Sequence, residues 1–170
     1  MKYLKTFEAR SRQEQFPYMK EYKEVKKISS EWKIEFDKLR KIQFELIPYF
    51  QKVIESNNLE DILKMIDILP SGVTISDAQF LFQRKYMIEK GEVENNTKVS
   101  YFNDVKDILR IFPKIIEQDK IVSQLNKKVD EILRIVIKSD NVSNLTPFYN
   151  AIGNIPSGHL IANRINDLLS

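Results

Sequence analysis

Apolar residues return along this chain at helical intervals and almost nowhere alternate with polar ones. Val25, Trp32, Leu39, Leu46 and Val53 recur every seven residues, flanked by Tyr22, Phe36 and Phe50 on one side and Ile28, Ile42 and Tyr49 on the other. A stripe this wide is broader than a bare coiled-coil seam and fits a helix laid into a globular bundle. The spacing predicts a long helix from about Tyr18, broken or kinked near Leu46–Pro48, with Pro48 in the first turn of a following piece that ends near Ser56. Asn57-Asn58 reads as a turn or cap. Leu59, Ile62, Leu63, Ile66 and Leu69 outline the next helix, which Pro70-Ser71-Gly72 ends.

Ser76 with Gln79 has the form of a capping box, and Ile75 with Phe80 that of a hydrophobic staple. The helix that follows is expected to run to about Lys90, with Gly91 as a left-handed terminator and 91–99 as an exposed loop. A second long helix is expected from about Ser100 to Lys138, interrupted or restarted at Pro113 and carried by Val105, Ile108, Leu109 and Phe112 and then by Ile115, Val122, Leu125, Val129, Leu133 and Val136. A polar turn over 140–144, a short helix over 147–153 and a last helix over 159–169 complete the chain. No segment carries paired strand and hairpin signals. The fold class is therefore all-α: a bundle of about six to eight helices, with 1–17 as a basic N-terminal arm or short helix and 18–170 as one helical domain.

Two blocks resemble one another. Val53-Ile54-Glu55-Ser56-Asn57-Asn58-Leu59 is echoed by Val136-Ile137-Lys138-Ser139-Asp140-Asn141-Val142, and Leu69-Pro70-Ser71-Gly72 by Ile155-Pro156-Ser157-Gly158, although the spacing between the blocks differs by three residues. Either the chain holds two related helical-hairpin units, 18–90 and 100–170, or common helix-stop residues recur by chance.

Composition narrows the function. With 170 residues, 42% hydrophobic and 30% charged, the chain is of ordinary globular make-up. The absence of cysteine removes disulfides, thiolate metal sites and thiol catalysis. The four glycines, Gly72, Gly91, Gly153 and Gly158, form no phosphate-binding fingerprint. The single histidine, His159, follows Pro-Ser-Gly at a helix start without a neighbouring acid or histidine, and reads as a cap or surface residue. Asp104 and Asp107 could share a helical face and bind Mg²⁺ with a phosphate, but any soluble helix shows this spacing. No catalytic residue, metal ligand or cofactor is assigned. The lack of an apolar leader at Met1-Lys2-Tyr3-Leu4-Lys5 and of any long apolar run suits a cytoplasmic protein with no membrane insertion.

Two surfaces remain as candidates. The predicted 73–90 helix is apolar on more than one side, so Phe80, Phe82, Arg84, Tyr86 and Met87 are expected to form a contact surface for another protein. That width also argues against its serving as the recognition helix of a helix-turn-helix, despite Gln79, Gln83, Arg84 and Lys85. The second surface is basic. Residues 1–41 hold twelve Lys or Arg and seven Asp or Glu within a chain of net charge +3. Arg10, Arg12, Lys20, Lys23, Lys26 and Lys27, with Tyr18 and Tyr22 interleaved, could face nucleic acid, although Glu21, Glu24 and Glu31 dilute the stripe. The leading expectation is a non-enzymatic binding protein of the adaptor, inhibitor or immunity type. A nucleic-acid-associated protein is the alternative, and an enzyme with an acidic metal site stands third. The seven-residue period also allows homo-oligomers through the first long helix. No motif specific to a known family is present.

Overall fold

The computed structural model describes residues 16–72, 74–101 and 107–170. Among them every regular element is helical and no strand occurs, as the hydrophobic period requires. In chain order the α-helices are α1 (Met19–Phe44), α2 (Ile47–Ser56), α3 (Leu59–Asp67), α4 (Gln79–Glu89), α5 (Phe112–Val136), α6 (Val142–Ile152) and α7 (Gly158–Leu169), with a 3₁₀ turn, Ser76–Ala78, entering α4. The N-terminal arm through residue 15, with Arg10 and Arg12, and the stretch holding Asp104 and Val105 lie outside the described residues.

The contacts divide the chain into two compact units. Unit 1 takes residues up to Ile34 and Val122–Ser170, and unit 2 takes Glu35–Ile121. Both boundaries fall inside the long helices α1 and α5.

In unit 2, the break between α1 and α2 lies where proline places it. Leu46 donates its N–H to the Gln43 carbonyl at 2.9 Å, a tight turn ends α1, and Pro48 sits in the first turn of α2, where a missing N–H costs nothing. Leu39, Leu46, Phe50, Val53, Ile62, Met65, Leu81, Ile108 and Ile115 fill the core. α3 is started by Asn58, whose Oδ1 accepts the N–H groups of Glu60 (3.0 Å) and Asp61 (3.2 Å). The same end of α3 holds the segment that follows α4. Asn58 Nδ2 donates to the Val99 carbonyl at 2.9 Å, the Leu59 N–H donates to Asn95 Oδ1 at 3.1 Å, and the Asn96 N–H donates to the Asn57 carbonyl at 3.0 Å. Asp61, only 1% exposed, accepts the Ser100 hydroxyl at 2.8 Å and the Tyr101 N–H at 2.7 Å.

Glu35 accepts from both sides. Lys38 Nζ donates to its Oε1 at 2.7 Å, and Gln118 Nε2 donates to its Oε2 at 2.7 Å and to its backbone carbonyl at 3.0 Å. The Lys38 bond, then that of Gln118, holds the carboxyl below its ordinary value of 4.5. A lowered carboxyl pKa stabilises the fold above the unfolded value, and that contribution is lost as pH falls through the lowered one. The Glu35 carboxyl carbon is therefore expected to titrate below 4.5 in NMR, and Gln118→Ala to raise its midpoint. A midpoint at or above 4.5 in the unaltered chain would contradict these bonds.

In unit 1, Val25, Ile28 and Trp32 are buried on α1 and Val122, Leu125, Val129, Leu133 and Val136 on α5. The heptad line from Val25 to Val53 is thus buried throughout, though its residues divide between the two units. Phe148 is fully buried, with the rings of Phe16 and Tyr22 at 5.9 and 5.8 Å. Ser157 donates its hydroxyl to Asn126 Oδ1 at 2.8 Å, and Arg164 pairs with Asp140 at 2.6 Å.

Three local expectations are corrected. Ser76 does not cap α4: no side-chain cap bond is formed there, and its hydroxyl instead accepts from Arg40 Nη1 at 3.2 Å. Pro147 does not open α6 but lies inside it. The helix starts five residues earlier, where Asn141 Oδ1 accepts the Ser143 N–H at 2.9 Å. Buried Leu145, Phe148 and Ile152 offset an internal proline that costs about 3 kcal/mol. The second long helix is also shorter than its pattern, with residues 107–110 forming a 3₁₀ turn and Pro113 in the first turn of α5.

Candidate interaction surface

α4 is fixed at its entry by α1. Gln43, 3% exposed, donates Nε2 to the Thr74 carbonyl at 2.9 Å, close to the Arg40–Ser76 bond. Gly91 ends it with φ of +74°, a conformation glycine adopts without a Cβ penalty. Ala78, Leu81 and Ile88, spaced by three and seven residues, form the inward line and are buried.

The remaining large side chains of α4 face outward. Phe80 is 48% exposed, Phe82 50% and Tyr86 56%, with Arg84 and Met87 half-buried. Phe82 and Tyr86 share one face at four-residue spacing, and Lys90 Nζ lies 5.5 Å from the Tyr86 ring centre. Phe80 and Arg84 share another face and line a groove of about 530 Å³ with Ile47, Phe50, Gln51, Ile54, Glu55 and Asp77. Its floor is apolar, and one Asp77 carboxylate oxygen is buried without a hydrogen-bond partner among the described residues. All of these residues belong to unit 2.

The structure therefore brings the five α4 candidates together on one helix in unit 2. The groove wall supplied by α2, and Asp77, could not be read from the sequence. Side-chain period places Phe50 and Ile54 on an apolar stripe but does not say which helix lies opposite.

The lysines belong to unit 1. Lys20, Lys23, Lys26 and Lys27 are all exposed on α1, and none forms an ion pair among the described residues. Lys20, Lys23 and Lys27 fall on one face, with Lys26 to its side. His159 is exposed and places Nδ1 2.7 Å from the Pro156 carbonyl, a local contact at the start of α7. Among the described residues no group of three or more His, Asp or Glu is placed to hold a metal ion, and no helix is long and apolar enough to cross a membrane.

Compared with protein-family models, with curated proteins and with solved structures, the chain matches none.

Proposed function

We propose that the protein is a non-enzymatic helical binding protein of the cytoplasm, an adaptor, inhibitor or immunity-type module, that engages another protein through α4. The observation that carries this reading is three aromatic side chains, each about half exposed, within seven residues of one helix. Exposed apolar residues scattered singly are ordinary, whereas α4 carries an exposed aromatic over an apolar groove, Phe80, and an exposed aromatic pair on another face, Phe82 with Tyr86, the residue types that interface cores favour. Aromatic anchors of this kind lose 2 kcal/mol or more (about thirtyfold in affinity) when truncated. Arg84, Glu55 and Asp77 would supply the charged rim, and the mechanism is occlusion or scaffolding rather than chemistry.

The test places a photoreactive amino acid at position 82 or 86 in the native cells, with position 135, another half-exposed apolar site, as control. One cross-linked protein in stoichiometric amount from 82 and 86, and none from 135, is the expected result. Equal labelling at all three positions, or none, would sink the reading.

The four exposed lysines of α1 favour a second reading, association with nucleic acid. It predicts binding to mixed DNA or RNA that weakens with salt, log K falling by about 0.9 per log unit of salt for each phosphate contact on a duplex. Absence of retardation at low salt would remove it.

A further inference from the structure

We infer that the chain is a tandem duplication of one helical unit, in register at a separation of 83 residues, and that each compact unit joins the N-terminal part of one copy to the C-terminal part of the other. The turn after the first helical stretch shows the register atom by atom. Ser56 and Ser139 are both buried, and each hydroxyl accepts the N–H of the Asn two residues on: Asn58 at 3.1 Å, Asn141 at 3.2 Å. Each Asn then caps the next helix, accepting from Glu60 N–H at 3.0 Å and from Ser143 N–H at 2.9 Å.

A polar link repeats in the same register. Gln43 bonds to Thr74 in unit 2, and Ser157 bonds to Asn126 in unit 1; 43 corresponds to 126 and 74 to 157. The roles of donor and acceptor are reversed, but the paired positions are the same. Burial follows as well. From 24 to 39 and from 107 to 122, every position has the same degree of exposure as its counterpart, including buried Val25 and Ile108, Trp32 and Ile115, and Leu39 and Val122. Beyond these, Phe50 matches Leu133, Ile62 matches Leu145 and Met65 matches Phe148.

Helical period alone does not produce this agreement. Period 3.6 aligns one helix with another but is reset at every turn. Here the register survives the α1–α2 break, which has no counterpart in the continuous α5, and then the Ser-x-Asn turn and the fully buried apolar positions of the next helix. It also shows that the two Pro-Ser-Gly stops, three residues out of step, are not equivalent positions: the counterpart of Ser157 is Thr74, not Ser71. Glu35 and Gln118 occupy the same position in the two copies and hydrogen-bond to each other.

The exchange of halves follows from where the units divide. Unit 2 holds the first copy from Glu35 onward together with the opening of the second as far as Ile121, and unit 1 holds the complementary pieces. The copies have diverged at α4, since Phe80, Phe82 and Tyr86 correspond to Asn163, Ile165 and Leu169.

The test transplants sequence within the full chain. Residues 132–148 are replaced by the sequence of 49–65, which is in register, or by that of 52–68, which is three residues out and keeps the helical period. The in-register chain is expected to unfold cooperatively with a melting temperature within about 10 °C of the original, a few kcal/mol of repacking. The shifted chain is expected to lose its cooperative transition. An in-register chain no more stable than the shifted one would overturn the duplication. For the exchange, a protease site is inserted between Val93 and Glu94 and then cut. The two fragments are expected to remain a one-to-one complex with unchanged helical circular dichroism, and their separation into independently folded monomers would overturn it.

Discussion

Phe148→Ala is expected to destabilise the protein by about 3–5 kcal/mol. Its side chain is fully buried on α6, with the Phe16 and Tyr22 rings within 6 Å. Removing the ring forfeits its transfer free energy and leaves a cavity against the rings of Phe16, which precedes α1, and Tyr22 on α1. Aromatic pairs at this separation add about 0.5–1.5 kcal/mol beyond the area they bury. Domains of this kind hold about 5–15 kcal/mol in all, so the melting temperature is expected to fall by roughly 10–15 °C. Phe148→Met keeps most of the volume and is expected to cost under about 2 kcal/mol. Thermal or urea unfolding followed by circular dichroism checks both. A loss below 1 kcal/mol for the alanine variant would mean that Phe148 is not packed as described.

Asp61→Ala is expected to cost about 2–4 kcal/mol, by a different route. Its carboxylate, itself 1% exposed, accepts the Ser100 hydroxyl and the Tyr101 N–H, so truncation removes the acceptor of both; the exposed Ser100 hydroxyl can turn to water, whereas the half-buried Tyr101 N–H loses its partner. Hydrogen bonds to a charged acceptor are worth about 1.5–3 kcal/mol each, and access of water to Ser100 recovers part of the loss. The effect should be local first: hydrogen exchange at the Tyr101 amide is expected to accelerate at least tenfold, while amides of α6 keep their protection. Asp61→Asn retains one acceptor oxygen and is expected to lose about half as much. Unchanged exchange at Tyr101 would show that the segment after α4 is held by other contacts.

The sequence carried the fold class because burial in a helical protein is written in period. Val25 to Val53 needed no partner to be recognised as one buried line, and Pro48, Asn58 and Gly91 act through local backbone chemistry that neighbours rarely override. Local signals failed where tertiary contacts competed for the same atom. Ser76 has a capping sequence, but Arg40, distant in the chain, takes its hydroxyl. Pro147 looks like a helix start, but Leu145, Phe148 and Ile152 bury well enough to carry the helix through it.

The division into units was not legible either. It falls within α1 and α5, where the apolar stripe continues unchanged while the side chains it meets change. The candidate surface was legible in part. An excess of aromatics on α4 is visible in the sequence, whereas the direction of Phe80 and Phe82 against Leu81, and the Asp77 groove, depend on what lies opposite.

The central claim is that Phe80, Phe82 and Tyr86 are held outside the core for a partner. The most direct measurement is made on Phe80→Ser/Phe82→Ser/Tyr86→Ser, reading the melting temperature of the purified chain and the amount of cross-linked partner recovered from native cells, with the photoreactive group moved to exposed Lys90. The account predicts a melting temperature within about 6 °C of the original, since exposed substitutions shift stability by about 0.5 kcal/mol or less each, and a loss of partner of at least thirtyfold. A chain that unfolds, or one that keeps its fold and its partner undiminished, would contradict it.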